Sequence, residues 1–439
     1  MKYGDCCGII LFRHGVAVFL CLEVIMNTEK KKYTFGFLVK RFFFLLMLGL
    51  IVGVACGIVG TAFSHSVTLV TNIRMANSWI IYLLPLAGLL SVYLYHVFKV
   101  TNVGTDDAVE SAHSAKQVSP RLTPAVFICS VITHFFGGSA GREGAALKMG
   151  GGIAALFSKV FKLDERSRRT IALAGMSGVF AAVFGTPIGA AIFTIEVVRS
   201  RSIRPWAAFT ALISSCTAFA IAILCKVEPE RYDFGALPAF EWSNIWKILV
   251  LCALAGILSY IFCVSVHHFP HLVKKLIKND YVRIFALSVI IVLLTVIVGT
   301  TDYNGGGIHI IHGLFHGDSV GYEAFALKLL FTAFTVAAGF KGGEIVPAFF
   351  VGATFGAAAA TLLGLPPMFG TALGMVALFC GVTNCPIATL ILACEMFGVG
   401  GIVFYLIAVI ISFLLSGELS LYDGKKYPFK ELMKEKVEE

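Results

Sequence analysis

Apolar stretches recur almost from end to end of this 439-residue chain, with only short polar joints between them. A chain built that way has lipid for its solvent, and its spanning segments must satisfy their backbone polar groups within helices. Charged residues make up 14% of the sequence, against about 25% in a soluble domain. Together with a mean hydropathy of +0.86, this excludes a conventional soluble enzyme and a disordered chain. The expected class is an all-α integral membrane protein that crosses the lipid bilayer of the cell membrane many times.

The net charge of +9 comes from short basic clusters between apolar segments. Lys30, Lys31, Lys32, Lys40 and Arg41 precede the first span, Arg199, Arg201 and Arg204 follow another, and Lys425, Lys426, Lys430, Lys434 and Lys436 close the chain. This positive-inside pattern predicts both termini in the cytoplasm. No basic stripe interleaved with aromatics marks a nucleic-acid partner. The twelve cysteines lack metal-ligand spacing, and Cys56, Cys129, Cys216, Cys252, Cys380 and Cys394 lie inside apolar runs as small hydrophobes. No cofactor is expected. Glycines four residues apart, Gly53 with Gly57 and Gly352 with Gly356, fit close helix packing.

The run from Gly15 to Leu22 is short for a span of about 20 residues and lacks a signal-peptide cleavage site. Met26 is therefore the expected native start. Three segments are predicted: 1–40, N-terminal and cytoplasmic, with 1–25 read as non-native; 41–424, the membrane domain; and 425–439, a short cytoplasmic tail without a regulatory domain.

Spans are expected near 42–64 and 78–98, and a polar segment at 101–122 leads into 123–136. Shorter pieces follow at 145–160, 170–185 and 187–198, broken by Gly, Pro or charge. Full spans return near 206–225, 246–266 and 283–300, and short pieces resume at 324–339, 347–363, 368–381, 387–397 and 400–416. Interrupted segments in two places are the pattern of broken-helix transporters.

The interruptions repeat. Gly141-Arg142-Glu143-Gly144 is followed by Pro187-Ile188-Gly189-Ala190 and Glu196; Gly342-Gly343-Glu344-Ile345 is followed by Pro386-Ile387-Ala388-Thr389 and Glu395. Glu143 lies 44 positions before Pro187 and Glu344 lies 42 before Pro386, with 9 from Pro to Glu in both. In each block a Gly-rich break carries one carboxylate and then opens an apolar helix. A charge at membrane depth costs about 2.5–3.5 kcal/mol on insertion scales, so each acid must face protein or a water-filled path. Unwound backbone before a helix N-terminus presents free N–H groups and the positive end of the helix dipole, which favour an anion. The basic stretches Lys162 to Arg169 and Arg199 to Arg204 predict that the chain between them leaves and regains the cytoplasmic face, turning at Gly185-Thr186-Pro187.

In this order along the chain, Gly141-Arg142-Glu143-Gly144, the Gly-Thr-Pro helix ending in Glu196, the turn Gly342-Gly343-Glu344-Ile345-Val346-Pro347 and Leu421-Tyr422 resemble the CLC chloride channel and transporter family, over about residues 40–424. The resemblance implies a CLC-type inverted repeat of tilted and broken transmembrane helices, with halves at about 41–225 and 226–424. It also implies a homodimer with one anion path per subunit. Glu143 becomes the gating glutamate, which occupies that path and swings aside or takes a proton. A carboxylate beside N–H donors mimics the anion, and protonation removes the competitor. A structural ion pair with Arg142 is the other reading. Tyr422 matches a tyrosine whose hydroxyl donates to the anion; its alternative is an interfacial anchor. The anion-binding residues implied are Thr105, Gly141, Arg142, Gly144, Ala145, Gly343, Glu344, Ile345, Val346 and Tyr422.

Departures from the family narrow the comparison. Thr105 stands in Gly104-Thr105-Asp106-Asp107-Ala108-Val109, where chloride-selective members have Gly-Ser-Gly-Ile-Pro, and Asp106 and Asp107 read as helix caps. As in the fluoride-exporting branch, Ala145 replaces a proline, Glu344 supplies an acid in the second turn, and Val197 stands where many chloride/proton exchangers have an inner glutamate. Ile345 and Val346 replace that branch's Phe and Thr. A protonated Glu344 would donate strongly to a small hydrated anion; pairing with Lys341 is the alternative.

Glu196 and Glu395 read as partners at helix junctions. His267, His268 and His271, and likewise His309, His312 and His316, read as interfacial loops without an acid or Cys to complete a metal site. Gly137-Gly138-Ser139-Ala140-Gly141, with His134 nearby, fits a serine-hydrolase pattern, which leaves an intramembrane serine protease as the distant alternative. The expected function is non-enzymatic: halide transport coupled to protons, with fluoride export favoured. A chloride/proton antiporter and a passive chloride channel are the alternatives within the same fold.

Overall fold

The computed structural model describes residues 35–100, 105–113, 118–198, 205–235, 237–417 and 419–422. The expected start at Met26, the basic residues 199–204 and the tail 425–439 lie outside them. The first half contains α1 Phe35–Ala76, α2 Leu84–Phe98, α3 Thr105–His113, α4 Leu122–Phe135, α5 Glu143–Val160, α6 Glu165–Phe184, α7 Pro187–Val198 and α8 Pro205–Leu224. The second half repeats that order as α9 Trp242–Leu276, α10 Asp280–Val298, α11 Ile308–Phe315, α12 Ala324–Ala338, α13 Ile345–Leu363, α14 Pro367–Thr383, α15 Pro386–Phe397 and α16 Ile402–Leu415. Corresponding lengths agree: 42 and 35 residues for the long first helix, 9 and 8 for the third, 12 and 12 for the seventh.

The seventh helices show that the halves are inverted. Glu395, late in α15, accepts hydrogen bonds from Ile188 N (3.1 Å) and Gly189 N (2.7 Å) at the start of α7. Glu196, late in α7, accepts from Ile387 N (3.2 Å) and Ala388 N (2.7 Å) at the start of α15. Each carboxylate sits at the unfavourable end of its own helix dipole and at the favourable end of its antiparallel neighbour's, where it satisfies two orphan N–H groups. The junction role expected of both acids is therefore reciprocal, and it locks the two halves head to tail.

Glycine sets the closeness of the remaining packing. A Cβ on Gly53 would lie 2.7 Å from Thr217 Cβ, and one on Gly352 would lie 2.6 Å from Gly374 O, so α1 meets α8 and α13 meets α14 at backbone contact. Between α6 and α7, Gly185 adopts φ 81°, which makes the expected turn.

Six helical segments among the described residues are long and apolar enough to cross a bilayer: Val39–Ala76, Ser78–Phe98, Pro205–Leu224, Trp242–Leu276, Asp280–Val298 and Ile345–Leu363. Two sets of boundaries differ from expectation. Helices α1 and α9 extend well past 42–64 and 246–266, because hydropathy drops once a helix leaves lipid while its backbone hydrogen bonding continues. Helices α3 and α11 occupy segments that read as joints. His267, His268 and His271 accordingly lie within α9, and His309 and His312 within α11, rather than in loops.

Candidate anion pathway

The two Gly-rich breaks meet directly. Gly141 and Gly343 form an antiparallel bridge, with Gly141 N donating to Gly343 O at 2.6 Å and Gly343 N to Gly141 O at 2.7 Å. A Cβ on Gly144 would lie 2.7 Å from Gly343 Cα, so side chains are excluded from the contact. Helices α5 and α13 thus begin side by side, and their unpaired first-turn N–H groups are brought to one place. Gly141, Arg142, Glu143, Gly144, Ala145, Gly343, Ile345 and Val346 are buried there, with Glu344 half-buried beside them.

Glu143 is fully buried. Its Oε2 accepts from Arg142 N at 3.1 Å, and Arg142 Nε lies 3.6 Å from Oε1. The guanidinium spends its hydrogen bonds elsewhere: Nη2 pairs with Glu230 and Nη1 donates to Ser64 Oγ at 3.2 Å. The Arg142 pairing anticipated for Glu143 is therefore present only as a long contact. Glu230 also accepts from the Tyr232 hydroxyl at 2.5 Å, with His312 Nε2 3.6 Å away. Burial pushes the Glu230 carboxyl up, but His312, Arg142 and Tyr232 prevail and hold it below the usual carboxylate range. Sequence reading missed Glu230, since its role comes from contact with an arginine 88 residues away.

Outside the breaks, Ser64, His134, Gly141, Arg142, Glu230 and His312 help to line a vestibule of about 660 Å³. A pocket of about 10 Å³ touches Glu143, Glu230, Tyr232, Phe184 and Phe349, roughly the space of one water-sized probe. From there a line of rings runs to Tyr422. Centroid separations are 5.5 Å for Phe184–Phe349, 5.0 Å for Phe349–Phe379, 5.7 Å for Phe379–Phe193 and 6.1 Å for Phe193–Tyr422. Ring edges carry partial positive charge and suit the neighbourhood of an anion. Nothing in the spacing of the 38 phenylalanines marks these four.

Glu344 occupies the N-cap position of α13 without a side-chain capping hydrogen bond, and its Oε2 lies 3.5 Å from the Cβ position of Gly144. It makes no ion pair with Lys341, whose Nζ sits 4.4 Å from the centroid of the Tyr95 ring. Thr105 opens α3, and its side chain lies outside the described residues. Asp106 and Asp107 fall in the first turn of α3 rather than ahead of it, so they are not N-caps; acids there suit the positive end of the dipole. Ser139 has no histidine partner: its Oγ shares a 3.0 Å hydrogen bond with Thr332 Oγ1, while His134 Nδ1 bonds Ser130 O at 2.8 Å. The segment leading to Ser139 is helix α4, so the strand-to-helix elbow that a serine hydrolase needs is missing.

The geometry agrees with what the chain resembles. A family model described as "Voltage gated chloride channel" matches residues 87–417. A "Chloride/fluoride channel protein" of Pseudomonas syringae pv. tomato is 33% identical over 389 residues, covering 87% of this chain and 86% of that protein. The "H(+)/Cl(-) exchange transporter ClcA" of Vibrio cholerae is 29% identical over 389 residues, covering 81% and 82%. The crystal structure of a CLC-type fluoride/proton antiporter superposes with a TM-score of 0.84 at 27% identity, covering 90% of this chain and 100% of that one. A slow cyanobacterial Cl−/H+ antiporter shares the fold, with a TM-score of 0.72 at 18% identity over 90% and 98%. This multi-pass membrane protein belongs to the voltage-gated chloride channel, or CLC, family.

Proposed function

We propose that the protein exchanges a halide for protons across the cell membrane, as a homodimer with cytoplasmic termini, and that fluoride is its preferred halide. The observation that carries this reading is the direct pairing of two carboxylate-bearing breaks. An anion at the converging helix N-termini and an ionised Glu143 compete for the same donors. Protonation neutralises Glu143 and admits the anion, while loss of the proton lets the carboxylate return; one site alternating between the two occupants couples their movements. Glu344, without an ion-pair partner among the described residues and beside Gly144, supplies a donor to the anion when it carries a proton.

Fluoride, strongly hydrated, needs concentrated donors in exchange for its water. Glu344 at the second break and Ala145 at the first support that preference, as do the names of the Pseudomonas relative and the fluoride/proton antiporter. The Vibrio relative supports the coarser reading, a halide/proton exchanger. On α16, Ile402, Leu406, Ile410 and Leu414 form an exposed apolar stripe suited to a second copy. Thr105 and Tyr422 would serve the inner end of the path.

The test is flux from liposomes loaded in parallel with fluoride or chloride, with proton movement recorded. Fluoride should leave faster, and protons should move with it. Faster chloride efflux rejects the preference, and halide flux without proton movement makes the protein a passive channel.

A further inference from the structure

The second break has a cavity of its own. Where α2 and α9 end and α10 begins, a space of about 150 Å³ is lined by Tyr95, His96, Lys274, Asp280, Arg283 and Lys341, among others. It is the counterpart, in the inverted half, of the vestibule at the first break. The vestibule touches Arg142 and the late residues of α1 and α4, Met75 and His134; this cavity touches Lys341 and the late residues of α9 and α12, Lys274 and Ala338.

Its charge is one-sided. Asp280 is engaged by Arg283, whose Nη2 donates to Oδ1 at 2.6 Å. Lys274 and Lys341 form no ion pair among the described residues, although Asp280 acts on Lys341 at longer range, and Lys148, behind the lining, adds a further cation, donating to Gly342 O at 3.4 Å beside Lys341. Tyr95 is 3% exposed, and its hydroxyl, inside this cationic lining, has no hydrogen-bond partner among the described residues. A buried hydroxyl left without a hydrogen bond bears the full cost of its desolvation. The ring of Tyr95 attracts the Lys341 ammonium, but none of the described residues accepts the proton of the Tyr95 hydroxyl. A small anion would satisfy both groups, accepting from the hydroxyl and balancing the ammonium. The space holds an ion with a few waters, each taking about 30 Å³.

We propose that this cavity binds a small inorganic anion, halide or phosphate, apart from the path through Glu143. The Tyr95 hydroxyl and the Lys341 ammonium are its ligands, and the exposed His96 and Lys274 form its mouth. Its cytoplasmic placement rests on the orientation proposed above. Lys341 stands three positions before Glu344, so an anion held here waits beside the second break.

Titration calorimetry of the purified full-length protein with sodium fluoride, sodium chloride and sodium phosphate, each separately, tests the proposal and identifies the source of the anion. Tyr95→Phe removes a hydroxyl that bonds none of the described residues, so the variant should fold. It should weaken the binding of one anion per subunit by about tenfold or more, and Lys341→Met should abolish that binding. Identical stoichiometry and affinity in wild type and Tyr95→Phe for all three anions overturns the proposal. Failure of the transport reading looks different: wild-type liposomes would pass no halide, with the Tyr95-dependent binding intact.

Discussion

At the first break Arg142 stands next to Glu143 yet gives its hydrogen bonds to Glu230 and Ser64; at the second, Lys341 lies over Tyr95 and leaves Glu344 without an ion-pair partner among the described residues. The backbones match, glycine against glycine, but the charge surroundings do not. The reason lies outside the repeat. Glu230 and Tyr232 belong to the linker between α8 and α9, outside both sets of eight helices. The repeat decides where the two acids sit, and the linker decides which of them is crowded by neighbouring charge.

The severest way to break the comparison is to remove the backbone match. A Cβ on Gly343 would press against the Gly144 backbone, with Gly144 Cα 2.8 Å away. Gly343→Ala should therefore part the bridge and lower halide flux at least tenfold in liposomes; normal flux would mean that the pairing is dispensable. Exchanging one acid at a time separates their roles. Glu143→Gln should bring proton movement down to the background while halide still passes, and unchanged coupling would remove Glu143 from the gate. Glu344→Ala should instead narrow the fluoride-over-chloride ratio several-fold, with proton coupling retained.

A smaller effect concerns the linker. Breaking a buried ion pair costs about 3–5 kcal/mol, so Glu230→Gln should melt several degrees lower at neutral pH. The Glu230 carboxyl is held below its ordinary value of 4.5. Its stabilising contribution is thus fully present above that value and is lost as the pH falls through the depressed one. Melting scans of the variant should show a flatter acid limb than wild type, and parallel curves would count against the pairing. The smallest change is expected away from both breaks. Glu395→Gln weakens one of the two reciprocal caps and should cost about 1 kcal/mol with flux preserved; a large loss of flux would give the α7–α15 junction a part in transport.

Much of this was legible in advance because the signals are local. Hydropathy placed most spans within a few residues, and Pro187 and Pro386 marked helix starts. The match between Glu143 and Glu344 came from counting positions. What escaped was either too polar or too dispersed to register. Helices α3 and α11 are short and lack apolar length, and the aromatic line from Phe184 to Tyr422 draws on rings scattered among many others. Glu196 and Glu395 were recognisable as junction acids, but that each caps the other's helix depends on the antiparallel placement of α7 and α15.

By itself the sequence determined that lipid is the solvent, that the chain holds two related halves, and that each half carries an acid at a glycine break. Those properties follow from transfer free energy and backbone hydrogen bonding, which are written residue by residue. Only the tertiary structure decided that the breaks touch, that Arg142 belongs to Glu230, and that the Tyr95 hydroxyl faces cations with no acceptor among the described residues. Charge pairing falls off over a few ångströms, so it is fixed by which distant segments the packing brings together.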